Sequence, residues 1–166
     1  MTDKNADGAG ANRITVALQR VYLKDCSFEA PSSPSSFSGE WRPVVTLNIA
    51  TRYEAAGDDT WEVTLSLTVE TKVADRTAFL IEVQQAGQFV FKGLAEDDLR
   101  RVLVTFCPHQ LYPYAREAVA DLVGKGGFPQ LHLQPVNFDA LAAEAQKRQQ
   151  ADEQSWSVST ASSAEG

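Results

Sequence analysis

Residues 60–73 read "TWEVTLSLTVETKV", with apolar residues at nearly every odd position and polar ones at every even position. Successive side chains of a strand point to opposite faces, so this period of two predicts a strand with one buried and one wet face. Trp61, Val63, Leu65, Leu67, Val69 and Val73 form the buried set. On the N-terminal side, "PVVTLNIATRYE" (43–54) places Val45, Leu47, Ile49 and Tyr53 on one face, and "AAGDD" reads as a turn. On the C-terminal side, the tight turn "ADR" leads into "TAFLIEVQQAGQFVFK" (77–92), with Phe79, Ile81 and Val83 facing inward and Gly87 at a bend. The first strand, "ITVALQRVYLK" (14–24), alternates at Ile14, Val16 and Leu18 and then changes phase, with Val21 and Leu23 taking over. One extra residue does this, so a β-bulge is expected near Gln19–Arg20.

After residue 95 the period becomes helical. In "AEDDLRRVLVTF", Leu99, Val102, Leu103 and Phe106 fall at helical spacing behind acids that suit a helix N-terminus. Pro108 in "CPHQLYP" predicts an interruption. "YAREAVADLVGKGG" resumes the helix and its glycines end it. "FPQLHLQPV" reads as extended, and Asn137 as the N-cap of "FDALAAEAQKRQQ". Residues 1–12 are small and polar, residues 147–166 are polar apart from one Trp, and both are expected to be disordered, leaving one domain over 13–146. Four strands followed by helices predict an α+β fold, a four-stranded antiparallel sheet with helices packed on one face. Val104, Phe106, Leu111, Tyr112 and Tyr114 do not share a stripe with Val119 and Leu122. One sheet face cannot absorb both sets, so either loops or a second subunit cover the remainder.

The chain of 166 residues has a net charge of −7 and a sequence pI near 4.8. Such a surface repels phosphate backbones and anionic lipid, which argues against nucleic-acid and membrane roles and suits a basic protein partner. The polar start "MTDKNADGAGAN" has no apolar signal region, and no apolar run approaches a membrane span. Two cysteines without metal-type spacing suggest a reducing compartment, so a cytoplasmic protein is expected.

Catalytic chemistry is poorly represented. Cys107 lies two residues from His109, but no third group orients the imidazole. "GKGG" follows a helix and reads as its cap, not as a phosphate loop. No enzyme activity, metal or cofactor is expected. A binding module fits better. The Pro/Ser loop "PSSPSSFSGE" (31–40) and the residue after it carry Phe37 and Trp41, while the thin final helix offers Phe138 and Leu141. Together these could line an apolar groove for extended polypeptide. On the wet face, Leu80 beside Glu82, with Glu62 and Glu70, could dock a basic partner. Asp25 and Glu29 read by themselves as a solvated strand end.

Four segments, "RVYLKDCSFEAP" (20–31), "AFLIEVQQAGQF" (78–89), "CPHQLYPYARE" (107–117) and "GGFPQLHLQPVNFDAL" (126–141), resemble the bacterial protein-export chaperones of the SecB family. The resemblance runs in unbroken order from about residue 14 to 145. It implies a homotetramer, a dimer of dimers with helices between two sheets. That assembly would hold unfolded preproteins without catalysis or ATP and deliver them to the SecA motor. It also implies that Asp25, Glu29, Leu80 and Glu82 dock SecA, that Phe37, Trp41 and Phe138 belong to the client groove, and that Ile81 and Val83 govern oligomer packing. The chain departs from the family in its serine-rich loop and in a tail without Lys or Arg after Arg148. Two other readings are a relative dedicated to one client, such as an antitoxin, and a small-molecule carrier.

Overall fold

The alternating segments all form strands. The computed structural model describes the backbone of residues 13–162 and the side chains of residues 13–153. The disorder expected for residues 1–12 and at the extreme C-terminus (163–166) lies outside them. β1 (Thr15–Glu29), β2 (Val44–Gly57), β3 (Thr60–Val73) and β4 (Arg76–Lys92) build one antiparallel sheet in the order β1-β4-β3-β2. β2, β3 and β4 are joined by short turns. The β3–β4 turn places both Ala74 (φ 49°) and Asp75 (φ 62°) in the left-handed region, the twist that tight hairpins favour. β1 pairs with β4, so residues 30–43 must carry the chain from one edge of the sheet to the other. Three strand spacings make that crossing roughly 14 Å.

The bulge expected in β1 is present as a register shift between Leu18 and Arg20. A second shift lies between Leu23 and Asp25. Each extra residue returns the apolar side chains to one face: Val16 and Leu18 sit opposite Phe91 and Phe89, Val21 opposite Gly87, and Phe28 opposite Ile81. β1 also continues to Glu29, beyond the expected end at Lys24, because β4 is long enough to pair with it throughout.

Helices cover the inner face. α1 spans Glu96–Val104, α2 Phe106–Lys125 and α3 Phe138–Ser162. Leu111, Ala115, Val119 and Val123 of α2 recur every four residues, forming one stripe that is fully buried with Val63, Leu65, Leu67, Val69, Ile81, Val83 and Phe89 of the central strands. Burying each Val or Leu contributes roughly 1.5–3 kcal/mol. The expected break at Pro108 falls earlier, at Thr105, and α2 already includes residues 106–113. Pro108 occupies the first turn of α2, where backbone N–H groups have no intrahelical acceptor and the missing proton costs little. Pro113, inside α2, is on the exposed side, where water can satisfy the carbonyl left over.

The second apolar set does not act as one group, and Leu111 shares the stripe of Val119 after all, because α2 runs unbroken from Phe106 through Pro113 and keeps one helical register. Leu111 is core, and Tyr112 is covered by the segment 128–137, donating its hydroxyl to the Gln134 carbonyl. Phe106 and Tyr114 stay exposed in the single chain, as do Val16, Leu18 and Leu23 on edge strand β1 and Ile14 just before it. α3 begins at Phe138 behind Asn137, whose side-chain oxygen accepts the Ala140 N–H at 3.0 Å as the predicted N-cap. It runs through residue 147, where the composition suggested a tail, since Ala, Gln, Glu, Lys and Arg dominate residues 142–153 and all favour helix.

Gly126 ends α2 against the ring of Phe28; a Cβ there would lie 2.3 Å from Phe28 Cζ. Gly126→Ala is therefore expected to lower stability by about 1–3 kcal/mol through overpacking, read from urea denaturation at fixed protein concentration.

Candidate functional site

The outer face of the sheet is built by even-numbered residues of β3 and β4 and, after its second bulge, by odd-numbered residues of β1. Glu29 lies directly opposite Leu80, which lies opposite Glu70; Ser27, Glu82 and Thr68 form the next row; Asp25, Gln84 and Ser66 the third. Facing residues in adjacent strands have Cβ atoms about 4.5–5.5 Å apart, so Asp25, Glu29, Leu80 and Glu82 share one patch, with Glu70 beside them. Asp25, Glu29 and Glu82 are exposed and Leu80 is half-buried. Glu70 accepts from Thr77 and pairs with Lys72 at 3.5 Å.

Beyond this patch the face changes character. Tyr22 and Lys24 of β1 reach over β4 and both donate to the carboxylate of Glu62 on β3. These bonds hold the Glu62 carboxyl below the usual carboxylate range, Lys24 contributing most and Tyr22 next. Burial, and then the bond to Glu62, push the Tyr22 phenol from 10.0 up to about 12. The network joins residues 38 and 40 positions apart, so nothing local in the sequence announces it.

On the inner side, the crossing loop folds Phe37 and Trp41 onto Phe128. Their ring centroids lie 5.0 and 5.7 Å from it, and that of Phe79 also lies 5.0 Å away. Phe28 completes the cluster at 6.4 Å. Phe37 remains 54% exposed. Phe128, the centre of this cluster, was read only as the start of an extended segment; the glycines before it and the proline after it were its one signal.

Phe138 and Leu141 lie elsewhere. They line a cleft of about 290 Å³ with Ile49, Thr51, Val104 and Ala145, and Arg148 borders it. Phe138 is only 4% exposed, its ring 5.8 Å from that of Tyr112, whereas Leu141 is 40% exposed. The structure thus separates the four groove candidates into two apolar patches, one at each end of segment 128–137. Trp41 and Phe138 anchor them; Phe37 and Leu141 present surface.

Ile81 and Val83 are fully buried beneath α2 within the single chain. Neither side chain has surface of its own to offer a partner subunit. Any influence on assembly would pass through the seating of α2.

A family model described as preprotein translocase subunit SecB matches residues 9–150. Over 137 residues the chain is 56% identical to the protein-export protein SecB of Hahella chejuensis, covering 82% of this chain and 86% of that one. Against the protein-export protein SecB of Pseudomonas savastanoi pv. phaseolicola it is 49% identical over 157 residues, 92% and 97% of the two chains. A solved SecB-like chaperone of Mycobacterium tuberculosis, in complex with a peptide from the HigA1 antitoxin, has the same fold. Its TM-score is 0.62 at 20% identity, covering 74% of this chain and 91% of that one.

The described residues contain no group of three or more His, Cys, Asp or Glu side chains placed to hold a metal ion, and no helix long and apolar enough to cross a membrane. Burial pushes the Cys107 thiol up to about 12, leaving almost no thiolate at neutral pH. His109 turns an edge toward Phe138, with 6.4 Å between ring centroids. Native protein at pH 8 is therefore expected to leave Cys107 unalkylated by iodoacetamide, with modification appearing only in denaturant. Rapid native labelling at Cys107, located by peptide mass mapping, would contradict this burial.

Proposed function

The chain belongs to the SecB family of protein-export chaperones, and on that premise we propose that the two sides of its sheet divide the work. The outer acidic patch, Asp25, Glu29, Leu80 and Glu82, docks the SecA motor. The inner side, from Phe37 to Leu141 along segment 128–137, holds unfolded preprotein. The observation that carries this reading is the strand alternation, which places charge and apolar surface on opposite faces. Client and motor need not compete for the same side chains.

Segment 128–137 has ten residues outside any helix or strand, and ten residues reach at most roughly 33–36 Å. A client lying along it would meet a hydrophobic patch at each end. Each contact is modest and indifferent to sequence, and linked contacts on several copies add through effective concentration. Folded proteins expose no long apolar stretch and escape. Release follows when the docked motor takes hold of the client itself, without ATP hydrolysis or any other catalysis by this chain. The uncovered apolar residues of β1, with Phe106 and Tyr114 on α2, offer the surface that copies of the chain would bury in a homotetramer. The site of action is the cytoplasm, where precursors await export. Dedication to one client such as an antitoxin, or carriage of a small molecule, has no comparable support: the close relatives are named for protein export, and the antitoxin-peptide complex shares only the fold.

Glu82→Lys is expected to weaken SecA binding by about tenfold or more while denatured-preprotein holding persists, both measured by fluorescence anisotropy. The parent complex should also weaken as salt rises, because exposed charges are screened over about 8 Å at physiological ionic strength. An E82K variant that binds SecA normally would remove the docking assignment. Phe37→Ala combined with Leu141→Ala truncates only the exposed groove members. It is expected to reduce preprotein affinity severalfold with the native mass unchanged; unaltered holding would place the client elsewhere.

A further inference from the structure

Lys24 is the residue that the second β1 bulge inserts, and it immediately precedes Asp25. Both side chains serve the outer face, Lys24 reaching Glu62 and Asp25 standing in the row of Gln84 and Ser66. A lysine in this place has two destinations. It can lean toward Asp25, Glu82 and Glu29, or it can reach across β4 to Glu62. The structure shows the second. Glu62 lies where it can hold the cation: its side chain is 17% exposed against 43% for Lys24, and Tyr22 donates to its other carboxylate oxygen. Ala86, opposite both Tyr22 and Thr64, leaves room for side chains to pass over β4. Among the described residues, Asp25, Glu29 and Glu82 have no ion-pair partner.

We propose that Glu62 is a positioning residue for the docking face: by holding Lys24 and Tyr22 across β4, it withdraws the lysine cation from Asp25, Glu29 and Glu82 and so sets the charge that a basic partner meets. The inference rests on the docking reading above and extends it to residues that do not themselves touch the partner. The Tyr22 bond stiffens the arrangement, since a carboxylate gripped on one oxygen loses less freedom when it accepts a lysine on the other. The low proton affinity of Glu62 keeps it charged throughout the neutral range.

The experiment compares four full-length chains, the parent, Glu62→Gln, Lys24→Gln and the double variant, for binding to purified SecA at low and high salt. The charge carried by the Lys24–Glu62 pair is zero in the parent, positive in E62Q, negative in K24Q and zero in the double variant. Affinity is expected to follow that order. E62Q should bind about fivefold more weakly with a shallower salt dependence, K24Q at least as tightly as the parent, and the double variant within about twofold of the parent. If Glu62 merely braces β1, the double variant stays as weak as E62Q, and that result overturns the proposal, as does an E62Q variant that binds like the parent. Preprotein holding by each variant reports that the fold is intact. Glu82→Lys in the same titration separates the two claims. If E82K binds normally, the docking reading itself has failed; if E82K fails to bind while E62Q is unaffected, only the role of Glu62 has.

Discussion

One interface carries the molecule: the four-residue stripe of α2 sealed against the odd-numbered side chains of β3 and β4. Leu111, Ala115, Val119 and Val123 are fully buried there. A helix presents one stripe and a strand one face. Once the two meet, the register of every neighbouring strand is constrained, because a slip of one residue would turn the apolar set outward. The glycines at 87 and 126 belong to the same constraint. A Cβ on Gly87 would come within 2.9 Å of Leu111, and one on Gly126 would enter the ring of Phe28. The helix approaches the sheet closely enough that only glycine fits at these two points.

β1 shows how an edge strand meets that constraint with a sequence that does not alternate cleanly. Two bulges each absorb one residue, Gln19 and then Lys24, so that Val16, Leu18, Val21 and Phe28 all return to the inner side. The second bulge also decides the character of the outer face. Without it Asp25 would point toward the helices, and Phe28 would stand on the outer face opposite Leu80. The acidic patch therefore follows from a packing requirement on the opposite side of the same strand, and the residue that corrects the phase brings a lysine that Glu62 holds. Structure and charge pattern share one cause.

The inner surface has a comparable logic. A chain that must cross the sheet from β1 to β2 cannot remain fully solvated while it passes over apolar strands. Phe37 and Trp41 are the anchors that let it lie down, with Phe128 as their shared support. Trp41 is half-buried, while Phe37 stays exposed. The same division occurs at α3, where Phe138 is packed and Leu141 is not. Each patch pairs a fixed residue with an available one, which is what the proposed client surface needs: it exists before a client arrives and can adapt to many.

Local pattern carried much of this. The period of two in residues 60–73 and 77–92 announced the central strands, the phase change at Arg20 announced the first bulge, and Asn137 announced the start of α3. Each depends on neighbours a few residues apart, which is the range over which propensity and periodicity act. The break at Pro108 was misplaced because a proline's cost depends on its position within a helix, and only the N–H bookkeeping of the folded first turn reveals that. The second bulge has no local signature, because it exists only in the pairing of β1 with β4, some sixty residues away. The sequence by itself determined the strands, the helices, the sign of the surface and the family. The tertiary structure alone decided that Phe37 and Phe138 lie in separate patches, that Ile81 and Val83 belong to the protomer's own core, and that Lys24 faces Glu62. The physical reason is that contacts between distant residues are settled by which faces pack together, and a linear period states only that a face exists.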